Sequence, residues 1–513
     1  MLCLGLFATA FSEPVEKYSN VEFDLSKVSM KTLDELGLPT DHHHVQGTQT
    51  IFSMPLSQSD IALLKAEKIP YRILVEDYAR MIELRNIELA KAAPNHTPGE
   101  APLARVPKNF KLGAMGGHLT FAEMVAVLDD MRTKYPKLIT AKMELGKTGE
   151  GRSMWAVRIS NNADVEQNRP RVLYDALIHA REPISMMHVI YYMWYLLENY
   201  ETDLEVKKLL DNLEIYAIPC MNPDGYEYNR STNPNGGGMH RKNRFKNADG
   251  SYGVDLNRNY STFWGDDIGS SNVQNSDTYR GTKAFSEPET RASRDLRLAK
   301  KFTLSFNHHS FANRLLTPYG IGGWPPNKAD YERIAKELTR VTKWLYGPTP
   351  VMLNYSVSGA AKDWGHEVGK EFAFGSETGG DADGFWPVSN RIGALCDGVL
   401  DMNLTLARNA LPPVLRIETP IRKITPQFYA DLNNSAGKVT LSYQLTDFKN
   451  NWFLSVYDMH GKQYKRVPLS PNNKSLVFSQ GDFPRSVYLF EIKSCGGSGC
   501  QTMDQQKQML GGF

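Results

Sequence analysis

Cysteine is scarce in this chain, with 5 among 513 residues. That excludes a fold framed by many disulfides, and stability has to come from a hydrophobic core. Neither sign of charge is in excess: Lys and Arg total 59 against 57 Asp and Glu, a formal +2. The basic footprint of a nucleic-acid binder is therefore missing, and no nucleic-acid partner is expected. No internal run approaches the roughly 18 apolar residues of a membrane-spanning helix, so no membrane span is expected. The remainder, 41% hydrophobic and 23% charged, is the composition of globular material, and the length implies several domains. The opening, Met1 to Ala10, is apolar, too short to cross a bilayer and ends in Ala8-Thr9-Ala10. It resembles the latter part of a secretory signal (1–13) without its basic leader, or else a buried strand. The expected location is secreted or periplasmic.

The chemistry begins at His179 and Glu182, which close the apolar run Val172 to Ile178. A second apolar run, Leu304 to Ser310, carries His308 and His309. Two ligands close together and one distant suit a catalytic zinc, which keeps three protein ligands and one position for water. Both runs have the look of buried strands, so the ligands stand where strands end, at the mouth of an open α/β sheet. In the His-Glu-x-x-His motif both histidines share one helical face. Here Pro183 follows Glu182 at once, so the pair belongs to a turn and Ile184 to Leu197 supplies the following helix. Of the adjacent His308 and His309, only one can readily face the metal, because neighbouring side chains on a strand point to opposite faces.

Further landmarks follow in order: Pro219-Cys-Met-Asn-Pro-Asp-Gly225, Arg241-Lys-Asn-Arg244, Gly253-Val-Asp-Leu-Asn-Arg-Asn259, His309-Ser-Phe311, Pro318-Tyr-Gly320, Tyr355, Ser358-Gly-Ala-Ala-Lys-Asp-Trp364 and Phe374-Gly-Ser-Glu377. Across roughly 115–410 this order resembles the zinc metallocarboxypeptidases, the family of the pancreatic digestive enzymes and their secreted bacterial relatives. The resemblance implies a mixed-sheet α/β/α catalytic domain over 113–411, one zinc ion (Zn2+), and hydrolysis of the C-terminal bond of peptide or protein substrates. It makes His179, Glu182 and His309 the zinc ligands, Glu377 the general base and Arg241 the oxyanion stabiliser. Asn257 and Arg258 match the pair that grips the terminal carboxylate. Tyr355 matches a mobile tyrosine that closes over substrate, Arg181 an accessory substrate-binding arginine, and Asp255 the carboxylate that orients His179. The chemistry needs such groups: a carboxylate to move the proton of a zinc-activated water, and an arginine fork to demand a free chain end. Glu377 follows the run Phe372 to Phe374, where desolvation is expected to raise its pKa.

In the digestive enzymes the residue before the Asp-Trp step lies at the base of the side-chain pocket, and here it is Lys362. A cation there favours an acidic C-terminal residue, unless the lysine swings to solvent or pairs with Asp363, Asp381 or Asp383. It equally suits the second carboxylate of a cell-wall peptide.

Before this domain, alternating and helical runs over 20–88 form a small α+β unit that resembles an inhibitory prosegment. The linker 89–112 offers Arg105, Lys108 and Lys111 as processing points. After it, 414–513 alternates strictly and reads as an all-β, sandwich-like domain. Cys495 and Cys500 flank a tight Gly-rich turn and could pair, while Cys220 and Cys396 are free buried thiols or a pair. The glycan acceptors at Asn229, Asn259, Asn354 and Asn403 fall within the catalytic segment. The alternative functions are a murein-peptide carboxypeptidase or amidase, and an inactive peptide-binding relative. The latter is disfavoured by the intact ligand and base set. An N-acyl amino acid deacylase is disfavoured by Tyr355 and Asn257-Arg258.

Overall fold

The computed structural model describes residues 16–40, 44–46, 51–92, 105–412, 438–442, 451–458, 462–470, 475–479, 486–496 and 499–510. These fall into two compact units, divided near residue 416. The first begins with β1 (Tyr18–Asp24), α1 (Met30–Glu35), β2 (His44–Gln46), β3 (Ile51–Ser57), α2 (Gln58–Ala66), β4 (Arg72–Val75) and α3 (Tyr78–Ala92). The four strands form a sheet in the order β2-β3-β1-β4. Alternation in β1 buries Val21 and Phe23, which meet Phe52, Met54 and Leu56 of β3 and Leu64 of α2. α2 starts where Ser57 and Asp60 close a reciprocal capping box, satisfying two backbone donors that a helix start leaves open. α3 continues to Ala92, into the stretch read from sequence as linker.

The larger part contains α4 (Phe121–Lys134), β5 (Met143–Lys147), β6 (Ser153–Ile159), β7 (Arg171–Ala176), α5 (Pro183–Asn199), α6 (Leu204–Asn212), β8 (Glu214–Ile218) and α7 (Pro223–Thr232). It continues with α8 (Pro288–Lys300), β9 (Leu304–His309), β10 (Arg314–Thr317), α9 (Lys328–Leu338), β11 (Leu345–Pro348), α10 (Thr349–Leu353), α11 (Ala361–Glu367), β12 (Phe372–Glu377) and α12 (Ser389–Ala410). The sheet order is β11-β10-β12-β9-β7-β8-β6-β5. β12, β9, β7 and β8 run parallel, while β10 and β6 join them antiparallel. This is the expected mixed α/β sheet. Because successive strand residues face opposite sides, Val172 and Tyr174 enter one core with α4, α5 and α12, and Leu173 enters the other with Leu296 of α8 and Trp364 of α11. α5 is buried from Pro183 to Leu197, which explains why its sequence is apolar all round.

Behind the sheet's central strands, Arg297 of α8 bridges Asp175 and Glu371, each at 2.8 Å. All three are buried. Cys220 and Cys396 are free buried thiols, so the pairing alternative is ruled out. Asn229, Asn259 and Asn403 are also buried. No helix among the described residues is long and apolar enough to cross a membrane.

The second unit contains β13 (Lys438–Ser442), β14 (Asn451–Asp458), β15 (Gln463–Leu469), β16 (Ser475–Ser479), β17 (Ser486–Gly496) and β18 (Gly499–Leu510). They form an antiparallel pair, β13-β16, and an antiparallel sheet, β15-β14-β17-β18. Leu454 and Val456 are buried, and Cys495 and Cys500 are register partners on β17 and β18. Residues 1–15 and 93–104, with Tyr443 and Leu445, lie outside the described residues.

Two outcomes follow from the buried charges. Arg297→Met leaves Asp175 and Glu371 without their cation, and urea unfolding is expected to register a loss of about 3–5 kcal/mol; a loss below about 1 kcal/mol contradicts this account. Burial, with the Asp277 carboxylate adding to it, raises Asp60 from 3.8 to about 7 against the hydrogen bonds from Ser57. A raised carboxyl opposes folding increasingly as pH climbs from its unfolded value to its folded one. Asp60→Asn, which keeps a capping oxygen, is therefore expected to raise the melting temperature at about pH 8 and much less at about pH 4. Equal shifts at both values would contradict it.

Candidate active site

The parallel strands deliver the candidate residues to one edge of the sheet. β7 ends at Ala176, and the chain turns through Leu177 at a positive φ of 54°. The turn is fixed by backbone and side-chain bonds: Glu182 N–H to His179 O at 3.2 Å, Ala180 N–H to Arg241 O at 2.9 Å, and Ser185 Oγ–H to Glu182 O at 2.6 Å. Pro183 then opens α5, where its missing N–H costs nothing. His309 is the last residue of β9, and Glu377, the last of β12, stands beside it in parallel register.

His179 Nδ1 lies 2.7 Å from Glu182 Oε1, His309 Nδ1 lies 3.0 Å from Glu182 Oε2, and the two ring nitrogens are 3.2 Å apart. Tetrahedral zinc with bonds of roughly 2.0–2.1 Å holds neighbouring donors about 3.3 Å apart. The donor types and separations therefore fit zinc, and this is the one such metal-competent cluster among the described residues. Burial alone would raise the Glu182 carboxyl, but His179 and His309 draw it well below the ordinary carboxylate range. His308 faces away, with Nδ1 2.9 Å from Ser376 Oγ, and burial lowers it to about 3. The strand alternation thus separates the two histidines as expected.

Asp255 caps a one-turn 3₁₀ helix, Leu256–Arg258. One carboxylate oxygen accepts from Asn257 N–H at 2.8 Å and lies 3.3 Å from His179 Nε2. The other accepts from Arg241 at 2.9 and 3.1 Å and lies 3.5 Å from Arg258 Nη1. Burial opposes the ionised form, yet Arg241, Arg258 and His179 hold the Asp255 carboxyl well below its ordinary value. Arg258 donates to Gly269 O at 2.6 Å, and Asn257 Oδ1 accepts from Ala361 N–H at 2.9 Å. Gly359 packs against the Arg258 backbone so closely that a Cβ would stand 2.2 Å from its carbonyl oxygen, so only glycine fits there.

His179, Arg241, Asn257, Arg258, His309, Tyr355, Lys362 and Glu377 all line one cleft. Glu182 and Asp255 lie behind its wall. Arg181 does not line this cleft: its guanidinium is buried, 3.1 Å from Asp277 and 4.5 Å from the centre of the Phe385 ring. Lys362 reaches the cleft with its Nζ 2.8 Å from Asp363 Oδ1, while Asp363 Oδ2 accepts from Gly320 N–H at 2.7 Å. Of the three acids considered for Lys362, the structure pairs it with its neighbour. Asn307, Leu316, Thr349, Val357 and Gly375 also line the cleft and were not anticipated. Asn307 and Gly375 stand two residues before His309 and Glu377, so the strand period carries a signal for them. The other three come from separate elements with no local motif.

A sequence profile described as zinc carboxypeptidase matches residues 124–401. The mast cell carboxypeptidase A of Homo sapiens is 28% identical over 375 residues, 71% of this chain and 83% of that protein. Zinc carboxypeptidase A 1 of Anopheles gambiae is 33% identical over 355 residues, 67% of this chain and 76% of that protein. The crystal structure of the carboxypeptidase A from Helicoverpa armigera shares the fold at a TM-score of 0.61 and 24% identity, over 78% of this chain and 98% of that one.

Elemental analysis of the purified protein is expected to find one zinc per chain, and Glu182→Ala or His309→Ala to leave almost none. Asp255→Asn should keep the ligands but weaken metal affinity by about 10–100-fold in competition with a chromogenic chelator. Unchanged affinity in that variant would remove Asp255 from the support of His179.

Proposed function

Because the chain belongs to the zinc carboxypeptidase family, we propose that this cleft releases C-terminal residues one at a time, with glutamate and aspartate preferred. The observation that carries the reading is one cleft lined by His179 and His309 of a metal-competent set completed by Glu182 behind them, by Glu377 in register beside His309, and by Arg258. Zinc, when bound, supplies a water of lowered pKa and polarises the scissile carbonyl. Glu377, a buried carboxylate on a rigid strand end, takes the proton from the attacking water and passes it to the leaving amine. Arg241, fixed by Asp255, donates to the oxygen on which charge develops. Asn257 and Arg258 receive the terminal carboxylate, which makes a free chain end a requirement. Tyr355 covers the bound residue.

Lys362 meets the side chain at the base of the pocket. Its bond to Asp363 uses one of three ammonium donors, leaving others for a substrate carboxylate. Arg181 is assigned to a residue further along the peptide. The bonds from Ser276 Oγ to Gly37 O, from Asn235 Nδ2 to Glu83 Oε1 at 2.8 Å and from Arg85 to the Trp386 carbonyl support reading 20–88 as a prosegment that restrains the enzyme until it is cut away. An exported protein fits that arrangement and the apolar opening of the chain.

The test is release from matched peptides ending in Glu, Lys, Phe or an amide, before and after limited proteolysis. Glu-ending peptides are expected to be cut fastest and the amide not at all, with Glu377→Gln lowering kcat by about 10²–10⁴-fold. Lys362→Ile is expected to transfer the preference to Phe. Faster release of Lys or Phe by the unmutated protein defeats the pocket assignment and leaves the hydrolase standing. Undiminished activity in Glu377→Gln defeats the base assignment.

A further inference from the structure

The chain that joins the small N-terminal α+β part to the catalytic part carries its basic residues unevenly. After Lys91 there is no lysine or arginine until Arg105, and then Lys108 and Lys111 follow closely. For a trypsin-like protease these are the positions that matter, because such an enzyme must draw a basic side chain into its pocket and lay the flanking backbone along its own strands.

Arg105 is not free to be drawn anywhere. Its Nε donates to Asp397 Oδ1 at 2.8 Å, Nη1 to Asp401 Oδ2 at 2.8 Å, and Nη2 to the Asp397 carbonyl at 3.0 Å. Asp397 and Asp401 stand one turn apart on α12, and all three side chains are mostly buried. Charge-assisted bonds of this forked kind are stronger and more directional than an exposed ion pair. Three residues on, Glu198 at the end of α5 accepts from Lys108 N–H at 2.6 Å, from Asn109 N–H at 2.8 Å and from Asn109 Nδ2 at 2.7 Å. The amides on both sides of a cut after Lys108 are therefore engaged. Phe110 packs edge-on against Tyr191, 5.0 Å between ring centres. Gly113 N–H bonds to Gly117 O at 2.9 Å, fixing the backbone just beyond Lys111.

Residues 105–113 are thus stapled to α5 and α12, two of the helices that cover one face of the catalytic sheet. We propose that proteolytic processing stops short of Arg105, and that 105–113 stays with the catalytic domain as its N-terminal strap. Arg105 is then an anchor, not a cleavage point, and Asp397 and Asp401 protect it. The proposal rests on the reading of 20–88 as a removable prosegment.

The experiment digests the full chain briefly with trypsin and, separately, with subtilisin, then sequences the N-terminus of the stable catalytic fragment and measures peptide hydrolysis. The expected first residue lies at or before Arg105 with both proteases, and with trypsin it is Ala92. In the Asp397→Asn, Asp401→Asn double variant Arg105 is released, and the trypsin product is expected to begin at Val106. An unmutated fragment beginning at Val106, Asn109 or Leu112 overturns the proposal, and this arm decides whether or not the variant folds. A chain that stays uncut and is already fully active overturns the prosegment reading beneath it, a different failure.

Discussion

The buried carboxylate of Asp255 is the contact on which the cleft depends. An ionised group withdrawn from water is tolerable only when cations and donors surround it. Asp255 meets that condition with Arg241, Arg258 and His179 at once, and with the Asn257 amide. The three partners carry separate proposed duties: oxyanion contact, carboxylate recognition and metal ligation. Because they share one acceptor, none can move without disturbing the other two. Long arginine side chains, otherwise free to sample many rotamers, are held in one arrangement before substrate arrives, which is the preorganisation that electrostatic catalysis requires.

Around that contact the sheet supplies direction. β7, β9 and β12 are parallel, so their carboxyl ends emerge together, and the loops that follow converge on one crevice. The faces of the sheet are closed by two cores that divide the alternating residues of each strand. The Asp175–Arg297–Glu371 chain lies beneath the same crevice and is tied to the cleft through Asn307, whose Nδ2 donates to Asp175 at 2.6 Å.

Much of this was legible in the sequence because its determinants are local. Pro183 directly after Glu182 announces a turn and a helix start, and the apolar run to Leu197 announces the helix. Period-2 alternation separates His308 from His309, and the ordered motifs pointed to Asn257, Arg258 and Tyr355, which line the cleft. What was not legible depends on tertiary approach. Leu316, Thr349 and Val357 come together only when β10, α10 and the segment before α11 fold. Arg181 sits next to a metal-competent residue in sequence, yet its side chain turns away to Asp277 and Phe385. Arg105 reads as a processing point from its charge alone, and its partners lie almost 300 positions away on α12. The linker's first residues are helical because α3 carries on to Ala92, and no proline or glycine stands before Pro94 to stop it.

The pairing of Glu377 with His309 across neighbouring strands has a consequence for how such an enzyme can diversify. Adjacent strands keep a separation of about 4.8 Å whatever their side chains, so the distance between the two residues is a property of the sheet and not of any loop. The elements proposed to meet the substrate side chain, α10 and α11, are attached outside that ladder and outside the contacts of Asp255. Insertions, deletions and exchanges there can rewrite which residue is released while the reacting groups keep their spacing. The spacing of that pair is thus held by a hydrogen-bond register, apart from the elements proposed to choose the side chain.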